Sequence, residues 1–226
     1  MAELDPRERL KRDCARAALE RILPAFDRQT IVGVGTGSTA NHFIDALAEV
    51  KSAFGATVAS SEDTAARLRG HGIRVLDLGD AERVAVYVDG ADEVAPDRSL
   101  IKGGGGALTR EKIVAATAER FLCIVDDSKM VARLGTFPLP VEVVPMASRL
   151  VAERLMELGG TPRRREGFVT DNGNPILDIH GLAIDDAASL EATINDIPGV
   201  VTNGIFAIQR PEAVIVASPN GIEIVT

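Results

Sequence analysis

The segment TIVGVGTGSTANHFIDAL, residues 30–47, most constrains the fold. Ile31 to Val34 reads as a short β-branched strand, Gly35-Thr36-Gly37-Ser38-Thr39 as a turn, and Ala40 to about Val50 as a helix. A strand that passes through a glycine turn into a helix begins a βα unit, and such units build parallel sheets packed against helices. Hydrophobic residues make up 46% of the 226, yet aromatics are only 4% and Trp is absent, so the core must rest on Val, Ile, Leu and Ala. Strands buried on both faces of a parallel sheet use those side chains.

The same turn has chemistry. A strand, a glycine- and hydroxyl-rich loop and a helix N-terminus form a phosphate cradle, with amides and hydroxyls facing the anion. After Gly33 and Gly35 the place of a third glycine holds Ser38, so the dinucleotide fingerprint fails. No Gly-Lys-Ser/Thr closes the loop, so it is not a Walker loop either. A small phosphate is favoured over a nucleotide, with an ordinary βα turn as the alternative.

Further strand ends follow. ATVASSE gives a second strand, with Ser60 and Ser61 at its end, placed to cap the helix from Glu62 to about Arg69 or to touch a ligand. HGIRVLDL gives a third strand. Val84 to Val88 is a fourth, followed by Asp89-Gly90-Ala91-Asp92-Glu93. Ligands of open parallel sheets bind at that edge. Three carboxylates within five residues repel unless they are solvated or paired, and Lys102 is a candidate partner. A Ca²⁺ or Mg²⁺ site wants more oxygen ligands than this loop offers. In IKGGGGALTREKI, Lys102 precedes four glycines, Gly103 to Gly106, and Thr109 is an N-cap candidate for a helix from Arg110 to about Glu119. Glu111 then lies in the first turn. An acid, a cation and a glycine loop at a helix N-terminus suit a small anion; a capped turn is the alternative. FLCIVDDSKMV adds a strand ending near Lys129, a phosphate candidate at the same edge.

From about Gly135 the order becomes β-α-β-β-α-β, a ferredoxin-like unit. Its strands are PLPVEVVP, Arg163–Thr170, Pro175–His180 and Val200–Ile208, with helices over Met146–Leu158 and Ala188–Ile197. Asp171-Asn172-Gly173-Asn174 reads as a hairpin turn, and Arg163 to Arg165 as a solvated strand edge. The fold class is therefore α/β: an open, mostly parallel sheet with helices on both faces, over residues 1–134 and 207–226, plus a smaller ferredoxin-like α+β domain over 135–206.

Charge and composition exclude other classes. With 33 acidic against 25 basic residues, the net charge of −8 repels nucleic acid and anionic membranes. No apolar run approaches membrane-spanning length. The charged start MAELDPRERLKRD is no signal peptide. Cys14 and Cys123 lack metal-type spacing, and His42, His71 and His180 are isolated, so no metal site is expected. Unpaired cysteines fit a reduced, cytoplasmic setting. Asp5 to about Leu23 reads as an amphipathic helix carrying Lys11 on its flank.

VGVGTGSTANHFIDAL, YVDGADEV, IKGGGGALTREKI, DDSK, FPLPVEVVP, VTDNGNPILD and IPGVVTNGIFA occur in order. Through these motifs the chain resembles type A ribose-5-phosphate isomerase nearly end to end. Gly106 stands where alanine is also usual. The resemblance implies a metal- and cofactor-independent aldose–ketose isomerase of the pentose phosphate pathway, cytoplasmic, and a homo-oligomer, dimer or tetramer. It implies that Glu111 shuttles the proton while Asp89, Asp92 and Lys102 bind and polarise the sugar, beside Gly90, Ala91, Gly103, Gly104 and Gly105. It implies that Thr36, Gly37, Ser38, Thr39 and Lys129 hold the phosphate, with Lys11 as a further contact. A sugar-phosphate-sensing regulator would carry a DNA-binding helix-turn-helix, for which the N-terminus leaves no room. A coenzyme A transferase would form a glutamyl thioester.

Overall fold

Asp5 accepts the Arg7 amide at 2.9 Å and so caps the first helix, α1 (Pro6–Ile22), where Pro6 occupies a position whose N–H has no helical partner. The structure, a computed structural model, describes residues 5–226. The first four residues of the expected 1–134 segment, and of the charged N-terminal run, lie outside the described residues. In chain order there follow β1 (Ile31–Val34), α2 (Ser38–Glu49), β2 (Ala56–Ala59), α3 (Glu62–Gly70), β3 (Val75–Leu76), β4 (Val86–Asp89), β5 (Glu93–Val94) and β6 (Leu100–Ile101). Then come α4 (Leu108–Thr117), β7 (Phe121–Asp126), β8 (Leu139–Val143), α5 (Ser148–Glu157), β9 (Thr161–Arg164) and β10 (Ile176–His180). The chain closes with α6 (Ala187–Asn195), β11 (Val200–Asn203), β12 (Ile205–Phe206), β13 (Ala213–Ser218) and β14 (Gly221–Val225).

The chain divides into two units, one of residues 1–90, 113–129 and 211–226, the other of 91–112 and 130–210. The change of sequence texture near Gly135 is therefore not where the units part: residues 91–112, 130–134 and 207–210 go with the second.

The first unit is the α/β part. Its seven strands run β14-β13-β7-β4-β1-β2-β3, all parallel except the last hairpin, in which β14 runs against β13. Val32 and Val34 point into a core made with Cys14, Ala18 and Ile22 of α1 and Phe43, Ile44 and Leu47 of α2. On the opposite face, Gly33 lies so close to Tyr87 and Val114 that a Cβ there would meet both at 2.9 Å. The Cys14 thiol donates to the Lys11 carbonyl at 3.1 Å, and burial pushes its pKa up to about 12, so it is an inert core side chain. Both cysteines are buried. Among the described residues no helix is long and apolar enough to cross a membrane.

The second unit holds a four-stranded antiparallel sheet, β11-β8-β10-β9, the strand order of a ferredoxin-like fold, and a three-stranded sheet, β12-β6-β5. Val141, Val143, Val151, Leu155, Ile179 and Ile194 fill its core.

Several expected boundaries move for identifiable reasons. Glu111 N–H reaches the Ala107 carbonyl at 2.9 Å, so α4 is already formed at Leu108 and Thr109 is inside it rather than its cap. Helix α2 begins at Ser38, not Ala40, after Gly37 at φ +116°. The third strand shrinks to two residues. The strand expected over Arg163–Thr170 is Thr161–Arg164, and the turn expected at Asp171–Asn174 is present within the connection between antiparallel β9 and β10, closed by the Gly173 N–H on Thr170 O and the Thr170 N–H on Asn174 O, both at 2.9 Å. Val200–Ile208 breaks in two because the Asn203 carboxamide takes the Ile205 amide at 3.0 Å and donates to Glu191 O. The Gly204 N–H then goes to Pro140 O. The chain thereby leaves one sheet of the unit and enters the other.

Glu142, in the buried strand β8, accepts from the hydroxyls of Thr109 and Thr170 and from the side-chain carboxamides of Asn172 and Asn174. Removing a buried acceptor strands all its donors. Glu142→Ala is expected to lower the unfolding free energy by about 3 kcal/mol or more. Arg149→Ala, which breaks an exposed pair with Glu153, should change it by less than ~0.5 kcal/mol. Urea titration followed by circular dichroism measures both.

Candidate active site

In the second unit, β6 ends at Ile101, and Lys102 continues the chain with its amide on the Gly204 carbonyl at 2.8 Å. Its ammonium lies 3.2 Å from Glu111 Oε2, with side chains 3% and 4% exposed. The pair spans the glycine loop: Lys102 enters it and Glu111 stands in the first turn of the helix that leaves it. Burying both charges is tolerable only because they meet. The Lys102 ammonium is 5.5 Å from the centre of the Phe206 ring, and Lys112 approaches the same ring at 4.6 Å. Lys112 pairs with Glu191 and donates to the Ile205 carbonyl; burial draws its pKa down, against the pull of Glu191. Glu191 also takes the amides of Ala207 and Ile208, both at 2.8 Å.

Asp92 faces the loop. Its amide donates to Ile101 O, and its Oδ2 accepts the Gly104 N–H at 2.7 Å. A Cβ at Gly104 would lie 2.6 Å from Asp92 Oδ1, so only glycine allows this approach. Glu93 turns elsewhere. It accepts the amides of Gly135 and Phe137 at 2.7 and 2.6 Å and fixes the loop before β8. The acidic run is thus divided among separate partners, which answers its expected self-repulsion. Arg165, expected on a solvated edge, is instead half-buried and bonds to the Gly103 and Gly104 carbonyls. Arg163 and Arg164 are exposed as expected.

In the first unit, Asp89 ends β4 fully buried. It accepts the Thr36 and Gly90 amides at 3.1 and 2.7 Å and the Tyr87 hydroxyl. The turn before α2 is therefore tied to the end of β4. Thr36 Oγ1 meets the hydroxyls of Ser60 and Ser61, each at 2.8 Å, and Thr64 Oγ1 donates to Gly35 O. Ser61 accepts the Thr64 amide and caps α3, so it serves both the helix and the Thr36 hydroxyl. Gly37 and Ser38 are exposed at the start of α2, where backbone N–H groups have no helical acceptor. Lys129 closes a short 3-10 turn after β7 and is half-buried. Lys11 donates to Glu8 at 2.7 Å, and Glu8 in turn meets His42.

Sequence reasoning passes over Glu142, Arg165 and Tyr87. For Glu142 a signal exists: a carboxylate in the middle of the apolar run LPVEVV must be buried and therefore bonded. Arg165 and Tyr87 give none, since their partners lie far away or on the same buried strand. Among the described residues, no group of three or more His, Cys, Asp or Glu side chains is arranged to hold a metal ion.

The family model of ribose 5-phosphate isomerase A (phosphoriboisomerase A) matches residues 56–221. The chain is 59% identical over 215 residues to ribose-5-phosphate isomerase A of Bordetella bronchiseptica, covering 95% of each protein. It is 58% identical to the Bordetella avium protein of that name, over 95% of this chain and 96% of that one. Its structure matches ribose 5-phosphate isomerase A of Neisseria gonorrhoeae with a TM-score of 0.92 at 42% identity, over 99% and 98% of the two chains. It matches a D-ribose-5-phosphate isomerase solved with phospho-erythronic acid with a TM-score of 0.91 at 36% identity, over 97% and 99%.

A Cβ at Gly35 would lie 1.8 Å from Asp89 Oδ1. Gly35→Ala must displace that carboxylate and is expected to cost about 1–3 kcal/mol of stability, read by urea titration.

Proposed function

The chain belongs to the ribose 5-phosphate isomerase A family, and on that premise we propose how its residues interconvert ribose 5-phosphate and ribulose 5-phosphate. The reaction moves a proton between neighbouring carbons and needs no electron carrier. The observation that carries the proposal is the buried pair of Lys102 and Glu111, 3.2 Å apart at the two ends of the glycine loop.

Glu111 takes the proton from carbon 2 of the open-chain aldose. The C–H electron pair forms the carbon 1–carbon 2 double bond, and the carbonyl oxygen becomes an enediolate oxygen. A proton passes from the carbon 2 hydroxyl to that oxygen, and Glu111 returns its own proton to carbon 1. A single carboxylate serves both carbons because they are adjacent and presented on one face. Lys102 and the loop amides stabilise the developing negative charge, an interaction of about 3–4 kcal/mol per donor in comparable sites. Asp89 and Asp92 manage the hydroxyl protons and assist ring opening. The Thr36–Thr39 turn offers the amides of a helix N-terminus to the phosphate, and Lys129 adds a cation.

Phospho-erythronic acid, held by one relative, carries a planar carboxylate in the place of the enediolate; this chain is inferred to bind it too. The protein is assigned to the pentose phosphate pathway and to the cytoplasm, where a buried thiol such as Cys14 stays reduced. A homo-oligomer, dimer or tetramer, is part of the proposal. Its support is Val144, Met146 and Leu150, apolar and exposed within seven residues, with Met146 at 94%.

Glu111→Gln is expected to keep the fold and phosphate binding and to lose about 10²–10⁴-fold in kcat, measured by ketopentose formation and solvent proton exchange. Near-normal turnover would remove Glu111 from the role. Lys129→Ala is expected to raise KM for ribose 5-phosphate about tenfold with kcat little changed, the loss of one charged hydrogen bond; an unchanged KM removes Lys129 from the phosphate site. Incubation with a chelator should leave turnover unchanged.

A further inference from the structure

The Arg165 guanidinium stands between an acid and the glycine loop. Its Nε and one terminal nitrogen donate to Asp178 Oδ2 and Oδ1 at 2.9 and 2.6 Å, a bidentate pair. Its other terminal nitrogen donates to two consecutive carbonyls, Gly103 O at 3.2 Å and Gly104 O at 3.1 Å. The Phe168 ring lies 5.4 Å from the guanidinium carbon and also fills the space beside Gly106, where a Cβ would come within 2.1 Å of it. The side chain is thus held by Asp178 and Phe168 as it meets the loop.

The Gly103 carbonyl and the Gly104 N–H belong to one peptide. Arg165 holds the carbonyl end and Asp92 Oδ2 accepts the N–H end at 2.7 Å. Cation, peptide dipole and carboxylate therefore stand in line, and each polarises the next. The following peptide is held the same way by its Gly104 carbonyl. The peptide is trans, as are all those among the described residues, so the Gly105 N–H points opposite to that carbonyl, away from the guanidinium. Gly105 is exposed.

We propose that Arg165 is a positioning residue of the isomerisation: by holding the Gly103 and Gly104 carbonyls it fixes Asp92 through the Gly104 amide and presents the Gly105 N–H as a donor to the enediolate oxygen. The inference rests on the assignment of Lys102 and Glu111 as the catalytic pair. Only a fork-shaped cation grips a carboxylate and two carbonyls at once, so lysine cannot replace it.

Kinetics of Arg165→Lys and Asp178→Asn test this. Both variants are expected to lower kcat about 10–100-fold, the scale of a misplaced donor, with KM for ribose 5-phosphate within about twofold of wild type. The inhibition constant of phospho-erythronic acid should rise by the same factor as kcat/KM falls, while that of inorganic phosphate stays put. A lower melting temperature with unchanged kcat per folded molecule and unchanged inhibition constants would reduce Arg165 to a structural strut and overturn the inference. So would wild-type kcat in Arg165→Lys. Glu111→Gln separates the two levels. If it turns over normally, the catalytic pair is wrong; if it is dead while Arg165→Lys is not, only the role of Arg165 falls.

Discussion

A carboxylate taken out of water must be given donors or a cation, and this chain buries six among its described residues: Asp89, Glu93, Glu111, Asp126, Glu142 and Glu191. Their partners knit the loops. Asp89 holds the Thr36 turn, Glu93 the segment before β8, Asp126 the Ser128 amide, Glu142 the loop at 170–174, and Glu191 the amides after β12. Asp89, Glu93, Asp126 and Glu191 take backbone amides, while Glu142 takes side-chain hydroxyls and carboxamides. Glu111 and Glu191 also face ammonium ions, those of Lys102 and Lys112, and the proposal gives the proton transfer between carbons to Glu111. A carboxylate that accepts several donors is held in its charged form.

The glycine loop shows why a glycine run is more than slack chain. Gly104 is tight because Asp92 touches its backbone, and Gly106 adopts φ +83° beneath Phe168. Without side chains the loop is a strip of peptide dipoles, and dipoles can be aimed. Asp92 and Arg165 bond to opposite edges of it. Preorganised amides cost nothing to reorient when charge develops, which is where electrostatic catalysis gains most. Gly106→Ala would strain the backbone at that φ and would also require that Phe168 yield.

Much of this was legible in the residues. Strand β1 lies where the β-branched run placed it, and the first helix covers the amphipathic segment, with Asp5 as its cap rather than its first residue. These features depend on local pattern and local capping, which a sequence displays directly. Element ends were less legible. Thr109 looked like a cap because a hydroxyl before an apolar run usually is one, but its hydroxyl serves Glu142, 33 residues away. The Val200–Ile208 run looked continuous because hydrophobicity does not record which sheet a residue joins. Arg165 looked solvated because its partners, Asp178 and the loop carbonyls, are 13 and about 60 positions distant.

By itself the sequence determined the α/β and ferredoxin-like parts, the glycine loops, and the acids and lysines available for chemistry. Periodicity and glycine placement are local physical constraints, and they survive without knowledge of the rest of the chain. Tertiary structure alone decided which acids take amides, that Glu111 and Glu191 meet cations, and that Arg165 turns inward. It also assigned Ala91–Lys112 to the same unit as the ferredoxin-like sheet. The reason is physical: the cost of burying a charge is fixed by what surrounds it in space, and those neighbours come from segments whose separation along the chain carries no information about their meeting.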